Sequence, residues 1–444
     1  MYDLERLDLP NGFTILTKKR DHAPNVSIRL VVGVGFDDFD CRDEELPHLI
    51  EHLMFSGTSN FSETDIEQLL DSWGGFSNAS TTRTQTVYEF DVHSLFQVDA
   101  IKLMHDMLTN TQFSQDRIQN SIDIVHRESG NTHSQWERWA KSSSIFDTVS
   151  DTILAEAGYR CRKPPMADHI TRQQLQETFK SYYRASNMTL IIVGKLNPET
   201  KSTVIRLFRD MLKVAPPVRK THTVKRLAKK RYENGIWPLV GNQAEVGFLY
   251  EIPGQRSDDF YSLDLLSEIF NSRVYEVIRI DQGLSYNPVA TVNTTTNGGF
   301  FEIAMDVDRD KLNTAITHLK GFMDDVIKNG LDTDRIERNK QGKLVAQSIL
   351  YETNSDLAEY YVSSLDNLEG HSFRNIEAEY RSIGEEELEA TVKKYLSGEP
   401  IIAVTKPLMT YKFFLIVVVI FLLTVGVVVF SVSKRFYSRK SRNA

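Results

Sequence analysis

Near its C-terminal end the chain carries a long apolar run without a single charge. Residues 413–433 contain no Asp, Glu, Lys or Arg, and residues 413–430 read FFLIVVVIFLLTVGVVVF. A helix of that length spans about 31 Å, which matches a bilayer core of about 30 Å. A buried core helix or strand is the alternative, but such runs are shorter and are not followed by a purely basic tail. We therefore predict a transmembrane helix at 413–433 and a basic tail at 434–444.

The residues around this run give opposite indications of orientation. Only Lys406 and Lys412 shortly precede it, whereas five basic residues follow it: Lys434, Arg435, Arg439, Lys440 and Arg442. By the positive-inside rule this bias keeps the tail on the cytoplasmic side. The first residues, MYDLERLDLPNGFTIL, contain three acids and resemble neither a secretory signal nor a transit peptide. Without such a signal the body should stay in the cytosol, and insertion of the tail after synthesis would overcome the charge bias. We therefore expect a single-pass membrane protein whose body faces the cytosol.

Composition restricts the partners of the body. The 444 residues carry a formal charge of −8, and removing the +5 of the tail leaves residues 1–433 at −13. So acidic a body gives no reason to expect a nucleic-acid partner.

The two cysteines indicate the redox environment. Cys41 and Cys161 cannot form a disulfide framework, and neither belongs to a CxxC pair. Reduced thiols in a reducing compartment are expected.

One order of elements occurs twice along the chain. Strand patterns at 13–34 lead to an apolar helix at 45–55, a Gly74–Gly75 break, a strand at 81–92 and further helices. From about residue 232 the pattern restarts, with strands at 244–252, 285–293 and 299–307 and helices at 258–280 and 311–395. A duplicated α/β domain of about 200 residues explains this order better than one large domain.

These patterns divide the chain into a first domain at 1–212, a linker at 213–231 and a second, homologous domain at 232–405. The linker contains eight basic residues and prolines. It is a solvated connection between domains, or alternatively a patch for anionic lipid or an acidic partner.

The predicted fold class is α/β of the α+β sandwich type. Each domain is a mixed, largely antiparallel sheet with helices packed on it, and one C-terminal transmembrane helix follows.

The first domain contains the motif HxxEH within PHLIEHLMF. On a helix His48, Glu51 and His52 lie within an arc of about 100°. Two imidazoles one turn apart can bind one Zn²⁺, and the carboxylate between them can act as a general base toward water. Two surface histidines and a solvated glutamate are the alternative. However, Leu49, Ile50 and their apolar neighbours make the helix apolar almost all round, and buried polar groups need partners such as a metal.

Two histidine ligands need a third ligand, which is usually a carboxylate. Glu128 ends a helical stretch at 118–128 whose Ile118, Ile122 and Val125 form a core-facing stripe. Periodicity alone does not rank Glu128 above several other acidic residues.

The chain resembles the insulinase, pitrilysin and mitochondrial processing peptidase family of inverted-motif zinc peptidases. The resemblance covers about residues 5–405. It is carried by LPNGFTIL at 9–16, LPHLIEHLMFSGT at 46–58, SNASTTRTQTVYEF at 77–90, Glu128 at the family's ligand spacing, and RIDQGLSYN at 279–287.

This resemblance implies roles for individual residues. It implies His48, His52 and Glu128 as ligands of one Zn²⁺ per chain, with Glu51 as the general base. It also implies that Asn78 and Ala79 lie on an edge strand that pairs with substrate backbone. Arg279 and Tyr286 would hold substrate carbonyls, at the zinc site of a partner subunit in 50-kDa members of the family. The implied partners are therefore flexible peptides and a second copy, or a related subunit in a heterodimer.

Two features depart from the family pattern. Seven residues before the third ligand the family usually has a second glutamate that orients the site, and this chain has Ser121. We expect ligation to survive and the site to be less ordered, with Asp123 and His126 as nearby polar groups. In the second domain, aligning Phe270 with Phe55 places Leu263, Leu266 and Ser267 at the motif positions, so we expect no zinc there.

The resemblance and the motif together favour a membrane-anchored zinc metalloendopeptidase that hydrolyses flexible peptides inside an enclosed chamber. The alternative is a catalytically weak or inactive peptidase-like subunit, or an assembly factor of a membrane complex. The complete set of His48, Glu51, His52 and Glu128 favours the enzyme, whereas Ser121 favours the alternative.

Overall fold

The computed structural model describes residues 2, 4–128, 148–161, 167–215, 217–219, 224–236, 238–365, 368–369 and 372–440, with the backbone alone at 350, 369 and 433–440. Its strands are β1 (Glu5–Asp8), β2 (Thr14–Lys19), β3 (Asn25–Val32), β4 (Phe76–Thr81), β5 (Thr86–His93), β6 (Met188–Gly194), β7 (Arg231–Glu233), β8 (Gln243–Ile252), β9 (Val289–Thr294), β10 (Gly299–Asp308), β11 (Leu368–Glu369), β12 (Ser372–Phe373) and β13 (Ile401–Thr405).

The longer helices of the described residues are α1 (Leu46–Phe55), α2 (Glu63–Ser72), α3 (Gln97–Asn110), α4 (Gln115–Glu128), α5 (Val149–Glu156), α6 (Arg172–Tyr182), α7 (Pro198–Phe208), α8 (Phe260–Val274), α9 (Leu312–Asn329), α10 (Thr333–Leu350), α11 (Asn354–Ser363), α12 (Ile376–Ser382), α13 (Glu385–Thr391) and α14 (Tyr411–Lys440).

The chain divides into two compact units that are discontinuous in sequence. Unit 1 comprises Met1–Trp139, Cys161–Thr223 and Lys340–Ser382, and unit 2 comprises Ala140–Arg160, Val224–Asn339 and Ile383–Ala444. The predicted boundaries at 1–212 and 232–405 describe a repeat along the chain, and they stay a prediction.

The sheet of unit 1 has the order β1-β2-β6-β3-β5-β4. Only β2 and β6 run parallel to each other, and the other neighbours are antiparallel. One face of this sheet packs on α1, α3 and α7 through a large apolar core that includes Leu49 and Leu53 of α1. These helices bury their apolar stripes because β3, β5 and β6 offer a continuous apolar surface.

The other face of this sheet packs on α11. Leu357 and Tyr361 of α11 lie against Val31 of β3 and Val193 of β6. The buried Arg29 of β3 crosses this layer and binds Asp91 of β5 and Ser355 of α11. A helix from late in the chain therefore belongs to the first sheet.

Unit 1 contains a disulfide between Cys41 and Cys161, whose Cα atoms are 5.5 Å apart. The expectation of reduced thiols was wrong. The two cysteines are separated by 120 residues, so no local spacing indicates that folding brings them together. Cys41 lies in the loop that leads into α1.

The sheet of unit 2 repeats the arrangement, with the order β7-β13-β8-β10-β9. Its β7 and β13 are parallel and all other pairs are antiparallel. This matches β2-β6-β3-β5-β4 strand for strand, which confirms the predicted fold class of two homologous domains with mixed, largely antiparallel sheets. Phe270 of α8 packs edge-on against Phe301 of β10 and Phe322 of α9 in the core.

A long apolar helix is present at the C-terminal end, as predicted. Within the described residues, the segment Tyr411–Val432 is the one helical stretch long and apolar enough to cross a membrane. Its side chains are exposed to the surroundings rather than packed in a core. Residues 441–444 of the predicted basic tail lie outside the described residues, and 433–440 are described by their backbone.

Candidate metal centre

Helix α1 presents the histidines of the HxxEH motif on one side, and its other side packs into the core of unit 1. Leu49, Ile50 and Leu53 are fully buried, whereas His48 and His52 keep 18% and 17% of their side chains exposed. Pro47 lies in the first turn, where a missing amide hydrogen breaks no helical hydrogen bond. The apolar stripe thus fixes the rotation of α1, and this rotation turns the histidines toward α4.

The structure brings together the three predicted ligands. Nε2 of His48 lies 3.2 Å from Nε2 of His52, and Oε2 of Glu128 lies 3.1 Å and 3.4 Å from the same two nitrogens. A tetrahedral zinc ion with ligands at about 2.0–2.1 Å holds neighbouring ligand atoms about 3.3 Å apart. All three separations therefore have the length expected for one edge of such a tetrahedron.

The charges at these atoms also fit a metal. Nδ1 of His48 donates to Oε2 of Glu45 at 2.8 Å, so a neutral His48 has its one proton there and a lone pair on Nε2. That lone pair meets His52 and the carboxylate oxygen of Glu128. Electron-rich atoms this close repel one another unless a cation or a shared proton lies among them. Two imidazole nitrogens and one carboxylate oxygen form a donor set that suits Zn²⁺.

A second group of candidate ligands occurs among the described residues, formed by Cys41, Glu44 and Cys161. Its two sulfur atoms are joined to each other in the disulfide. Because the thiolate is the metal-binding form of cysteine, this group does not offer a comparable site.

Burial and neighbouring charges shift the pKa values of the two histidines in opposite directions. Burial lowers the pKa of His48, but the hydrogen bond and charge of Glu45, with the charges of Glu51 and Glu128, outweigh it and raise the pKa. The pKa of His52 is lowered by burial and by the adjacent His48. His52 is therefore the imidazole that is more easily neutral, as a metal ligand must be.

Glu51 lies beside the ligands and is almost completely buried. Its Oε2 accepts a 2.5 Å hydrogen bond from Oγ1 of Thr81, the last residue of β4. Burial raises the pKa of Glu51, and the Thr81 hydrogen bond and nearby His48 only partly oppose this. A carboxylate with a raised pKa takes up a proton more readily, which suits a general base.

The predicted substrate strand lies next to this group. Asn78 and Ala79 belong to β4, which lies at one edge of the sheet and, among the described residues, pairs with β5. Asn78 is exposed and Ala79 is half-buried against the core. An edge strand leaves one row of backbone donors and acceptors available for an added strand.

Arg279 and Tyr286 lie in unit 2 and contact each other. The Arg279 guanidinium is 4.2 Å from the centroid of the Tyr286 ring and 4.8 Å from that of Tyr275, within cation–π distance. Tyr286 is 79% exposed. At the aligned motif positions of unit 2, Leu263, Leu266 and Ser267 are buried in the core.

Sequence reasoning missed two residues of the site, Glu45 and Thr81. Glu45 precedes His48 by three positions, a spacing at which helical neighbours interact, so this signal was available. Thr81 reaches Glu51 through sheet packing, for which one sequence gives no signal. Of the polar residues suggested near Glu128, His126 lies 3.3 Å from Asp168, and Asp123 accepts a hydrogen bond from Gln119.

Comparison with protein families matches both halves of the chain. Residues 14–157 match the family model described as insulinase (peptidase family M16), and residues 169–343 match the one described as peptidase M16 inactive domain.

Two curated relatives illustrate the match. An uncharacterised zinc protease of Rickettsia felis is 23% identical over 320 residues, which cover 70% of this chain and 75% of that protein. A probable mitochondrial-processing peptidase subunit beta of Arabidopsis thaliana is 26% identical over 209 residues, which cover 46% of this chain and 38% of that protein.

Solved structures share the fold. A protease from Helicobacter pylori superposes with a TM-score of 0.72 at 16% identity, covering 92% of this chain and 100% of that one. A peptidase M16 inactive domain from Pseudomonas fluorescens gives a TM-score of 0.72 at 15% identity, covering 91% and 98%. The family matches, the relatives named as zinc proteases and the shared fold confirm the resemblance: this chain belongs to the insulinase family, peptidase family M16.

Proposed function

We propose that this protein is a zinc-dependent metalloendopeptidase that hydrolyses flexible peptides. The observation that carries the proposal is the convergence of ligand atoms of His48, His52 and Glu128 to within 3.4 Å of one another, with the buried carboxyl of Glu51 on the same helix as the two histidines. Relatives named as zinc proteases and processing peptidases support it.

Each residue of the centre has a distinct role in this proposal. His48, His52 and Glu128 would hold one zinc ion per chain. When bound, zinc supplies Lewis acidity toward a peptide carbonyl and makes a water molecule more acidic. Glu51 accepts the proton of the attacking water and delivers it to the leaving amine. Thr81 holds the carboxylate of Glu51 in place during both transfers.

The substrate class follows from the edge strand. A peptide that adds to β4 beside Asn78 and Ala79 must be extended, so flexible segments are suitable substrates and folded domains are not. Arg279 and Tyr286 would bind substrate carbonyl groups through the guanidinium and the phenol. Their action at the zinc centre of a partner subunit stays a prediction.

We also propose that the helix at Tyr411–Val432 anchors the protein in a membrane. The body was predicted to face the cytosol, and this orientation stays a prediction. Two features argue for the opposite side. The basic residues after the helix favour a cytoplasmic tail, and the Cys41–Cys161 disulfide favours an oxidising compartment for the body.

A homodimer, or a heterodimer with a related subunit, also stays a prediction. The relative named as a subunit beta supports a related partner.

The alternative function is a non-catalytic subunit or assembly factor. Ser121, in place of the orienting glutamate that the resemblance implies, favours it. This alternative differs from the leading proposal in one measurable property, because it requires no peptide cleavage.

The test uses the purified full chain in detergent. We expect about one zinc per chain and cleavage of a fluorogenic library of flexible peptides. Glu51→Gln should retain zinc and lose activity by about 100-fold or more. Glu67→Gln on the exposed side of α2 is the matched control, with unchanged activity.

Two results would decide against the enzyme. Absence of zinc from protein purified without chelators contradicts the metal centre. Stoichiometric zinc with no cleavage of any peptide in the library supports the non-catalytic alternative instead.

A further inference from the structure

Glu45 lies one helical turn before His48, at the start of α1. Its Oε2 is 2.8 Å from Nδ1 of His48, and the two side chains are only 15% and 18% exposed. A charge-assisted hydrogen bond shielded in this way is stronger than an exposed ion pair.

This bond determines which nitrogen of His48 faces the predicted ligands. Because Glu45 accepts the proton on Nδ1, Nε2 is left unprotonated and points toward His52 and Glu128. A carboxylate bonded to the far nitrogen of a ligating histidine fixes the tautomer and the ring orientation, and it increases ligand basicity.

The segment before Glu45 is held at several points, which fix the backbone position from which the Glu45 side chain reaches His48. Cys41 is joined to Cys161, and Oδ1 of Asp43 accepts a 3.0 Å hydrogen bond from Nε2 of His169. The carbonyl of Glu45 also accepts the first hydrogen bond of α1, from the amide of Leu49 at 2.9 Å.

The position at which the family resemblance implies an orienting glutamate holds Ser121, which is 2% exposed and carries no carboxylate. If the centre has an orienting carboxylate, that carboxylate belongs to another residue. Glu45 is bonded to a predicted ligand, His48, without being one of the three converging groups.

We propose that Glu45 is the positioning residue of the metal centre, and that it supplies through His48 the orientation that Ser121 cannot supply. This inference rests on the proposed zinc function. It assigns to Glu45 a role in metal affinity rather than contact with substrate.

The experiment measures zinc affinity of the full chain by competition with a chromophoric chelator. Glu45→Ala should weaken zinc binding by about 10- to 100-fold. Glu45→Gln should recover only part of this loss, because its amide oxygen still accepts the Nδ1 proton but the negative charge that strengthens the bond is gone. Glu44→Gln removes the same charge from the neighbouring position and should leave the affinity unchanged.

Activity at saturating zinc gives a second readout. Glu45→Ala should lower kcat and leave KM unchanged, since the residue does not contact the substrate. A residue that only stabilised the helix start would lower the melting temperature of the metal-free protein and leave the zinc affinity unaltered.

The outcomes separate this inference from the proposed function. If the parent protein binds no zinc, both fail. If the parent binds zinc and Glu45→Ala binds it equally tightly, only the role of Glu45 is overturned. Should Glu45→Ala fold poorly, Glu45→Gln decides alone: an affinity and a kcat both equal to those of the parent and of Glu44→Gln overturn the inference.

Discussion

The hydroxyl of Thr81 donates a 2.5 Å hydrogen bond to the carboxylate of Glu51 and so joins edge strand β4 to helix α1. The strand that is predicted to receive substrate thus also holds the predicted general base. Both belong to unit 1, so a peptide added to β4 would lie on the element that orients Glu51.

Thr81→Val tests this connection, because valine keeps the shape and β-branching of threonine but cannot donate a hydrogen bond. We expect kcat to fall by about 10-fold, the cost of about 1.4 kcal/mol that a single positioning hydrogen bond can have. Zinc content should not change. Ser80→Ala, on the exposed side of β4, should have full activity. Equal kcat values in Thr81→Val and the parent would show that Glu51 does not need this bond.

Arg29→Ala tests the attachment of α11 to the first sheet. Arg29 is 1% exposed and binds both carboxylate oxygens of Asp91 and the hydroxyl of Ser355. Its removal leaves Asp91 and Glu89 without their cation in a partly buried layer, so we expect a loss of about 3–5 kcal/mol in the free energy of unfolding. Urea denaturation measures this loss. The exposed pair of Arg6 with Asp8 provides the control, and Arg6→Ala should cost less than about 1 kcal/mol.

The disulfide gives a prediction about stability. Because Cys41 and Cys161 close a long loop, reduction should lower the free energy of unfolding by about 2–4 kcal/mol. The protein with both cysteines replaced by alanine should show the lower stability with or without a reducing agent. A parent protein whose denaturation curve does not respond to the reducing agent would contradict the bond.

Asp259 gives a prediction about pH. Its Oδ2 accepts hydrogen bonds from Lys394 at 2.6 Å and from Tyr395 at 2.5 Å, and these two bonds lower its pKa. A carboxyl whose pKa is lower in the folded state stabilises the fold above its unfolded pKa of about 3.9, and this contribution is lost as the pH falls through the folded pKa.

The parent should therefore be more stable than Asp259→Asn at pH 7, and the difference should shrink below about pH 4. Thermal melting of the full chain across this range measures the difference. The exposed neighbour serves as the control, because Asp258→Asn should leave the parent's pH dependence intact. A difference that stays constant from pH 7 to pH 3 would mean that Asp259 acts through packing rather than through its charge.

Local patterns predicted much of the fold. The two series of strands and helices, the rotation of α1 and the long C-terminal helix all follow from periodicity, because each depends on residues close together in sequence. Long-range features did not follow. Arg29 and Ser355 are 326 positions apart, and Cys41 and Cys161 are 120 apart, so only the folded chain reveals these pairs.

The candidate centre shows the same division. His48, Glu51 and His52 could be chosen from one helical turn, whereas Glu128 needed the family resemblance because several acids had equal periodicity. Thr81 could not be predicted, since its contact with Glu51 depends on how β4 packs on α1. Glu45 could have been noticed from its spacing to His48, but the spacing alone does not show that the two side chains meet.

Residues 406–410 are all that separates β13 from the C-terminal helix, and at about 3.5 Å per residue they reach at most about 20 Å. Four of them are also bonded to other parts of unit 2: for example, Met409 pairs with Val240 and the carbonyl of Pro407 accepts a hydrogen bond from Arg309. With the helix in a bilayer, unit 2 could neither tumble freely nor move far from the lipid surface. The protein would then sample a thin layer of solution, in which the juxtamembrane segments of other anchored proteins are concentrated and freely diffusing peptides are comparatively rare.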